Sequence, residues 1–551
     1  MTAPGTDFDV APAAHEQRWF NVELEDHGRN EPLKAHDWYV MAFDVDVQQR
    51  ATALATSGVD EQALFTDDTD EVLLTVQLDG EDFEIGERTR PLRVPRMGRS
   101  RGKARFDISP LREGRLTIKA TIHKEGNFIQ QMEITLAVGA SVSREVEVKS
   151  VGRPPAAANV LQPRDVGLSM QPAADGYDCV VWGAVSSRAR LKIQPAHLAS
   201  AIDAVRRELL KLIMNENVDG DFVFQTGTAI PPAQRETALR TLARAGSLLF
   251  NKIFFGPAAG ADSKVIGDFL RKMANDTSSR LKLQIIAESA PIPWSLLYVG
   301  DASAGAQLSW DNFLGMRHII EQIPLQTTLS VSDCKIPSDQ PELTVSVNVN
   351  DAIDEQMGVT VVADQKAYWD GARAKRKRVR VLGRNTAANV MKALASGETT
   401  DQILYFYCHA EAAGLDAPGG PDSSCLVLSD AKLTLGDLNI DAPTSTQLRG
   451  NPLVFINACE SAELSPAFYD GFVPYFMAKG ARGVVGTECK TPALFAAAWA
   501  QRFFEEFLNG GVLGEVFLNL RREFLDVHGN PLGLLYAVHC DGDTQVSPAL
   551  I

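Results

Sequence analysis

The chain has 551 residues, of which 45% are hydrophobic and 23% are charged, which is ordinary for a globular protein that can bury its own core. Its 54 basic residues are outnumbered by 70 acidic ones, and the net charge of −16 argues against a general binder of nucleic acid or of anionic membranes. Seven cysteines without any C-x-x-C spacing predict free thiols in a reducing compartment and no zinc ribbon.

The chain carries no sign of a targeting or membrane segment. The first residues, "MTAPGTDFDVAPAAHEQ", have no basic start and no apolar run, so they do not predict a secretion signal. An apolar run of about 18 residues, the minimum for a membrane span, is also missing from the sequence. We therefore expect a cytoplasmic protein with no membrane partner.

The first predicted region is all-β and covers residues 18–150. Short segments such as "DWYVMAFDVDV" and "GRLTIKATIHK" alternate apolar and polar residues, and Gly, Asp and Pro fill the turns between them. This pattern predicts an immunoglobulin-like β-sandwich. The Pro- and Ala-rich stretch "GRPPAAANVLQPRD" then predicts a linker over residues 151–177.

The next region, residues 178–335, mixes strand and helix patterns. "DCVVWGAVSS" and "RLKLQIIAES" are predicted strands, whereas "PAHLASAIDAVRRELLKLIM" and "PPAQRETALRTLARAGSLLFNKIF" carry apolar residues at the three-to-four spacing of helices. A proline stands at the start of both helical segments, where it costs the helix no hydrogen bond.

Strands and helices alternate over residues 336–551. The predicted strands are "PELTVSVNVN", "QILYFYCHA", "NPLVFINACES", "RGVVGTE" and "LGLLYAVHCDG", and helical segments such as "TAANVMKALASG" and "ALFAAAWAQRFFEEFLNG" lie between them. The strands are apolar without polar alternation, which predicts a mostly parallel sheet that is covered by helices on both faces.

Two of these strands end on residues that can carry chemistry, His409 and Cys459. The carboxyl ends of strands in an open parallel sheet line its ligand crevice. A single His or Cys at such a place is more often structural. Together, however, a Cys signature and a His 50 residues upstream match the spacing of caspases, so the pair indicates thiol chemistry.

The chain from about residue 178 onward resembles the CHAT family, caspase-like cysteine peptidases related to separase. The resemblance rests on "YFYCHA", "VFINACES", "GARGVVGTE", "FFEEFLNGG" and "LLYAVHCDGD", with support upstream from "IPWSLLYV" and "FLGMRHIIEQIP". It implies a caspase-like α/β fold with a catalytic lobe at 336–551. For 178–335 it implies a catalytically empty pseudo-caspase lobe, with a helical insertion as the alternative.

The resemblance also implies roles for individual residues. Cys459 would be the nucleophile and His409 the acid/base of a dyad, with the backbone N–H groups of Ala410 and Cys459 facing the oxyanion. The family has Gly after the His, where this chain has Ala410. Cys408 adjoins the His, and the pleat of the strand predicts it on the opposite face as a small buried residue.

The resemblance places a substrate-specificity pocket beside this dyad. Its candidates are Asn457, two residues before the Cys, and Glu488, at the end of the following strand, with Asp351 and Asp354 adding negative charge. An acid in such a pocket favours Lys or Arg before the cut bond. The sequence predicts no metal and no cofactor.

We therefore expect a cysteine endopeptidase that acts in a regulated bacterial pathway of defence, including antiviral defence, or of cell death. Its substrate would be a protein, such as a neighbouring pore-forming effector, and a regulatory protein would bind the N-terminal sandwich. The alternative is an inactive caspase-like scaffold that serves signalling or assembly. A serine hydrolase lacks support, because the chain contains no G-x-S-x-G motif.

Overall fold

A computed structural model of the chain describes residues 17–547 apart from 29–30, 62–63, 66–67, 140–145, 153–160, 217–219, 221, 277–279, 288–290, 324–334, 337–340, 377, 412, 414–417, 419 and 460–466. The chain forms two compact units. One comprises residues 1–161 and 326–332, and the other comprises residues 162–325 and 333–551.

The first unit consists of two five-stranded sheets in which every strand pairing is antiparallel. The strands are β1 (Gln17–Glu25), β2 (Tyr39–Asp46), β3 (Ala55–Asp60), β4 (Glu71–Asp79), β5 (Phe83–Ile85), β6 (Thr89–Pro95), β7 (Ala104–Pro110), β8 (Gly114–Lys124), β9 (Asn127–Val138) and β10 (Glu147–Gly152). One sheet has the order β3-β1-β2-β7-β5, and the other has the order β10-β9-β8-β4-β6.

One apolar cluster forms the core of this unit and draws on both sheets. Phe43 and Phe106 meet edge to face with their ring centres 5.7 Å apart, and Ile118 and Ile134 come from the other sheet. These residues occupy the apolar positions of the alternating pattern. The predicted N-terminal all-β region is therefore confirmed.

The second unit begins with a five-stranded mixed sheet of order β13-β12-β11-β14-β15. β11, β14 and β15 are parallel, whereas β12 and β13 add antiparallel strands at one edge. The elements are β11 (Val166–Ala173), β12 (Gly176–Gly183), β13 (Ser187–Leu191), α1 (Pro195–Ile213), α2 (Val223–Thr226), α3 (Pro232–Phe254), α4 (Ala261–Asn275), β14 (Lys282–Ala287), α5 (Leu314–Arg317) and β15 (Ile319–Gln322).

The structure corrects the sequence analysis in this region. β11 lies inside residues 151–177, which were predicted to be a linker. Gly167, Ser169 and Gln171 interrupt the apolar pattern of this strand. Gly167 leaves room for the ring of Trp182, because a Cβ atom at position 167 would lie only 1.9 Å from that ring. Residues 178–335 contain strands as well as helices, as the sequence patterns predicted. The two interpretations of this region, an empty pseudo-caspase lobe and a helical insertion, both stay predictions.

The second sheet of this unit has the order β18-β17-β19-β22-β23-β24, with the hairpin β20–β21 attached to the end of β19. Its elements are β17 (Leu343–Val349), α6 (Ala352–Met357), α7 (Val361–Lys375), β18 (Val379–Arg384), α8 (Ala387–Ala395), β19 (Ile403–Glu411), β20 (Cys425–Val427), β21 (Lys432–Thr434), α9 (Leu435–Asp441), β22 (Leu453–Cys459), α10 (Ala467–Ala478), β23 (Gly483–Thr487), α11 (Ala493–Phe507), α12 (Leu513–His528) and β24 (Tyr536–His539). A separate short pair joins β16 (Lys335–Ile336) to β25 (Gln545–Val546).

Strands β18, β17, β19, β22 and β23 are parallel, and β24 is antiparallel to β23. Alternate residues of β19 enter different apolar clusters: Tyr405 packs on Phe504 of α11 at 5.0 Å, whereas Phe406 packs on Phe476 of α10 at 6.0 Å. The predicted mostly parallel sheet, covered on both faces, is therefore confirmed. Across the described part of the chain, we find no helix that is long and apolar enough to span a membrane.

Candidate active site

The carboxyl ends of β19 and β22 lie side by side. The two strands are parallel neighbours, and their register places the Cα atom of His409 opposite that of Cys459. The same register pairs Ile403 with Leu453 and Tyr407 with Asn457 along the full length of the contact. The two residues that the sequence singled out therefore lie at the same level of the sheet, near the carboxyl ends of adjacent strands.

The strand pleat explains which face of the sheet carries His409. Tyr405 and Tyr407 pack on the face covered by α7 and α11, and His409 follows at the same parity. Cys408 lies between Tyr407 and His409 in the sequence and therefore has the opposite parity; it is fully buried and belongs to the cluster on the other face, as the pleat predicts. Position 459 has the same parity in β22 as Phe455, which belongs to the same cluster as Tyr405.

The imidazole of His409 is half-buried and contacts helix α6. Its Nε2 lies 3.3 Å from Oε1 of Gln356, so an Nε2–H group would donate to the amide oxygen and leave Nδ1 as the acceptor nitrogen. On its other side, β20 runs antiparallel to the end of β19 and pairs Val427 with His409. Sequence reasoning missed Gln356, because no motif links it to a histidine 53 residues away.

Ala410, a predicted oxyanion donor through its backbone N–H, is the residue after His409 in β19. It pairs with Leu426 of β20, and its side chain is buried in the cluster that holds Cys408. The methyl group of Ala410 therefore points to the opposite face of the sheet from the side chain of His409. An Ala in place of Gly is accommodated here as ordinary strand backbone.

Asn457, a predicted pocket residue, is fully buried at 0% exposure. Its Nδ2 donates to the carbonyl oxygen of Ala496 at 2.8 Å, and its Oδ1 accepts from the hydroxyl of Tyr536 at 2.7 Å. Tyr405 Oη lies 3.4 Å from the same Nδ2. These contacts fix β22 to α11 and β24 just before the strand ends at Cys459.

Glu488, the second predicted pocket residue, directly follows β23 and is 8% exposed. Its Oε2 lies 2.8 Å from Nη2 of Arg206, a residue of α1 that is itself 1% exposed. Burial raises the pKa of Glu488, and the positive charge of Arg206 opposes that shift. The structure thus gives Glu488 a partner from the first half of the unit that the sequence did not indicate.

Asp351 follows β17 at the same end of the sheet. It accepts a hydrogen bond from Asn385 at 2.7 Å and forms an ion pair of 2.6 Å with Lys366. Burial alone would raise the pKa of Asp351, but Asn385 and Lys366 together lower it. The nearby Asp354 accepts from the backbone N–H groups of Val362 and Ala363, so it caps the start of α7.

The candidates therefore follow the order of the parallel strands. Asp351 comes after β17, His409 lies near the end of β19, Cys459 ends β22 and Glu488 comes after β23. The structure brings His409 and Cys459 together through direct register, whereas Asn457 and Glu488 are held by buried partners. Within the described residues, no group of three or more His, Cys, Asp or Glu side chains is arranged to hold a metal ion.

Comparison with known proteins links this part of the chain to the CHAT domain. The family model of the CHAT domain matches residues 257–520, a range that contains both His409 and Cys459. A probable protease from Vitiosangium sp. (strain GDMCC 1.1324) is 34% identical over 143 residues, which cover 24% of this chain and 17% of that protein. The chain thus matches less than a fifth of the length of this curated relative.

Two crystal structures of the Saccharomyces cerevisiae separase–securin complex show a looser likeness. One, at 2.6 Å resolution, has 10% identity and a TM-score of 0.37, with coverage of 68% of this chain and 30% of that chain. The other, at 3.0 Å, has 11% identity and a TM-score of 0.28, with coverage of 62% and 22%. Similarity at this level assigns no function. The match to the CHAT domain model over residues 257–520, together with the strand motifs in that range, makes this chain similar to the CHAT family over nearly half of its length.

Proposed function

We propose that this protein is a cysteine endopeptidase that uses Cys459 and His409 as a catalytic dyad. The observation that carries the proposal is the register of β19 and β22, which sets the two residues opposite each other at the carboxyl end of a parallel sheet. This end of such a sheet is where substrates bind in open α/β folds. The match of a CHAT domain and the similarity to a probable protease support a peptidase in general.

The chemistry would be acyl transfer to sulfur. The Cys459 thiol gives its proton to His409, and the thiolate attacks the carbonyl carbon of the cut peptide bond. Backbone N–H groups at Ala410 and Cys459 would donate to the oxyanion. The imidazolium then protonates the leaving amine, and water, deprotonated by the same His, releases the acid product from the acyl-enzyme.

The test uses the full chain and a library of quenched fluorescent peptides that vary the residue before the cut bond. We expect Cys459→Ala and His409→Ala each to abolish cleavage to about the same degree, because the two side chains act as one unit. Cys408→Ala is the matched control, since Cys408 adjoins His409 but is buried on the other face. Equal activity in Cys459→Ala and the wild type would remove Cys459 from the mechanism.

We also propose that the enzyme prefers Lys or Arg as the residue before the cut bond. Glu488 could recognise such a side chain by exchanging its contact with Arg206 for the substrate's cation. We then expect Glu488→Gln to lower cleavage after Lys and Arg selectively. An unchanged preference would exclude Glu488 from the pocket while leaving the dyad intact.

An inactive scaffold is the second candidate, and one observation favours it. Asn457 and Glu488, the residues expected in the pocket, are both buried and held by partners within the protein. A scaffold would bind its partner equally well as wild type and as Cys459→Ala, and it would cleave no peptide. The biological proposal in either case is a regulated bacterial pathway of defence or cell death, with the β-sandwich as the receiver of a protein signal.

A further inference from the structure

Helices α1 and α3 pack side by side and leave an open groove of about 770 Å³ along their outer surface. Its size lies within the range of ligand-binding clefts. The groove is lined by Ala201, Ala204, Val205, Arg207, Glu208 and Lys211 of α1 and by Arg240, Thr241, Arg244, Ala245, Leu248, Leu249 and Lys252 of α3. None of these residues belongs to the candidate active site.

The floor of the groove is apolar and its rim is basic. Ala201, Val205, Ala245 and Leu249 line the groove and are buried, and the two alanines leave space between the helices. Leu248 is 54% exposed beside them. An exposed leucine next to a groove of this kind offers a contact for another apolar side chain.

The basic rim contrasts with the charge of the whole chain. Arg207 and Lys211 on α1 and Arg240, Arg244 and Lys252 on α3 line the groove, with Glu208 as its single acidic lining residue, whereas the chain as a whole carries −16. Positions 240, 244, 248 and 252 follow the spacing of four that forms one row along a helix.

The basic side chains of the rim remain available to bind an acidic ligand. Lys211 pairs with Glu208 at 2.7 Å and Arg240 pairs with Glu236 at 3.0 Å, but both basic side chains are mostly exposed, and such pairs contribute little. For Arg244 and Lys252 we find no ion pair or side-chain hydrogen bond among the described residues. A negatively charged ligand would therefore meet unneutralised charge on the α3 side.

We infer that the groove between α1 and α3 is a docking site for an acidic amphipathic helix of a partner protein. Such a helix would place small apolar side chains on the floor and Glu or Asp side chains against the rims, which is the helix-in-groove mode of recognition. The apolar floor and the exposed Leu248 favour a protein helix over a nucleic acid, because phosphates would contact only the basic rims. This inference does not depend on the proposed peptidase activity.

The probe for a direct test is a fluorescein-labelled helical peptide of about 18 residues, close to the length of α1, with Ala and Leu on one face and Glu on its flanks. Fluorescence anisotropy with the full chain measures its affinity. A scrambled peptide of the same composition keeps the charge and destroys the apolar face. An unlabelled oligouridylate RNA serves as the competitor for a nucleic-acid site.

Two charge-matched variants separate the groove from general electrostatics. Arg244→Glu with Lys252→Glu reverses two groove charges, and Lys264→Glu with Lys272→Glu reverses two exposed charges on α4 outside it. We expect the first variant to weaken binding roughly tenfold or more and the second to change it less than about twofold. Leu248→Asp should also weaken binding, because it removes the apolar contact.

Three results would overturn the inference: no binding of the helical peptide, equal binding of the scrambled peptide, or an equal loss in both charge variants. Displacement of the peptide by the RNA at lower concentrations than by unlabelled peptide would overturn it as well, in favour of a nucleic-acid site. Thermal unfolding of each variant confirms that the substitutions leave the fold intact. Binding is read without any cleavage assay, so its failure is distinct from a failure of the peptidase proposal.

Discussion

Arg206 of α1 and Glu488, the residue after β23, form a buried ion pair with a separation of 2.8 Å. The pair joins the helix layer of the first sheet to the carboxyl end of the second, where the candidate dyad lies. A buried pair of this kind adds little net stability, but breaking it leaves an uncompensated charge. This relation makes α1 part of the support for the candidate active site.

Removing the Arg206 guanidinium alone should destabilise the folded protein. We expect Arg206→Met to lower the free energy of unfolding by about 3–5 kcal/mol, because Glu488 would stay buried without its partner. The double variant Arg206→Met with Glu488→Met should recover most of that loss. Urea denaturation of the wild type, both single variants and the double variant measures the coupling. The exposed neighbour Arg207→Met is the control and should change stability by less than about 0.5 kcal/mol.

Gln356 is expected to act as a positioning residue for His409. Gln356→Ala should lower kcat/KM roughly tenfold without abolishing activity, because the imidazole loses the contact that orients it. Gln356→Glu should move the acid limb of the pH–rate profile to higher pH, since a neighbouring carboxylate favours the protonated imidazole. Glu355→Gln, at an exposed position of the same helix, is the control. An unshifted profile in Gln356→Glu would show that the two side chains do not interact in solution.

Asn457 should matter for stability more than its size suggests. Asn457→Leu leaves the carbonyl of Ala496 and the hydroxyl of Tyr536 without their partner in the core, and we expect a loss of about 2–4 kcal/mol. Tyr536→Phe removes one of the two contacts and should cost less, about 1 kcal/mol. The double variant should cost less than the sum of the two, which equilibrium unfolding in urea can establish. Strict additivity would mean that the hydrogen bond between them contributes nothing.

A buried histidine predicts how stability depends on pH. His318 is fully buried, and its Nδ1 accepts a hydrogen bond from the backbone N–H of Leu281. Burial and the neighbouring Arg317 lower the pKa of His318 to about 4. In the unfolded chain the group titrates near 6.5, so the unfolded state binds the proton first as the pH falls. The stability linked to His318 is therefore present above about pH 6.5 and is lost progressively towards pH 4.

The size of this effect follows from the difference between the two pKa values, which corresponds to about 3 kcal/mol at the acidic end. His318→Asn keeps an acceptor for Leu281 and cannot be protonated, so its unfolding free energy should depend less on pH between about 6.5 and 4. Urea titrations across this range measure the difference. His197→Asn, at an exposed position of α1, should follow the wild type. Parallel curves for wild type and His318→Asn would contradict the expectation.

The sequence predicted the sheet and the adjacency of His409 and Cys459 because those features depend on local patterns. Apolar runs such as "ILYFYCHA" and "LVFINAC" need burial on both faces, and parallel strands bring their carboxyl ends to one edge. β11 escaped the same reasoning because Gly, Ser and Gln interrupt its apolar pattern. The packing of Trp182 on Gly167, which helps to bury this strand, is visible only in the folded structure.

Contacts between distant residues could not be predicted in this way. Arg206 and Glu488 are separated by 282 residues, and no periodicity or motif connects them. Asn457 was placed in a pocket by resemblance, whereas its amide is tied to Ala496 and Tyr536, and the hydroxyl of Tyr536 depends on how β24 packs. Such pairings arise from tertiary packing, which a single sequence does not display.

The hydrogen bond from Tyr536 to Asn457 also has a consequence for the order of events on the ribosome. Tyr536 is synthesised well after β19 and β22, so a nascent chain that has reached only α11 holds His409 and Cys459 without the anchor that β24 supplies. Domains fold as their segments emerge, with N-terminal parts first. The hydrogen bond that anchors the end of β22 can therefore form only after α11, α12 and β24 have all been synthesised.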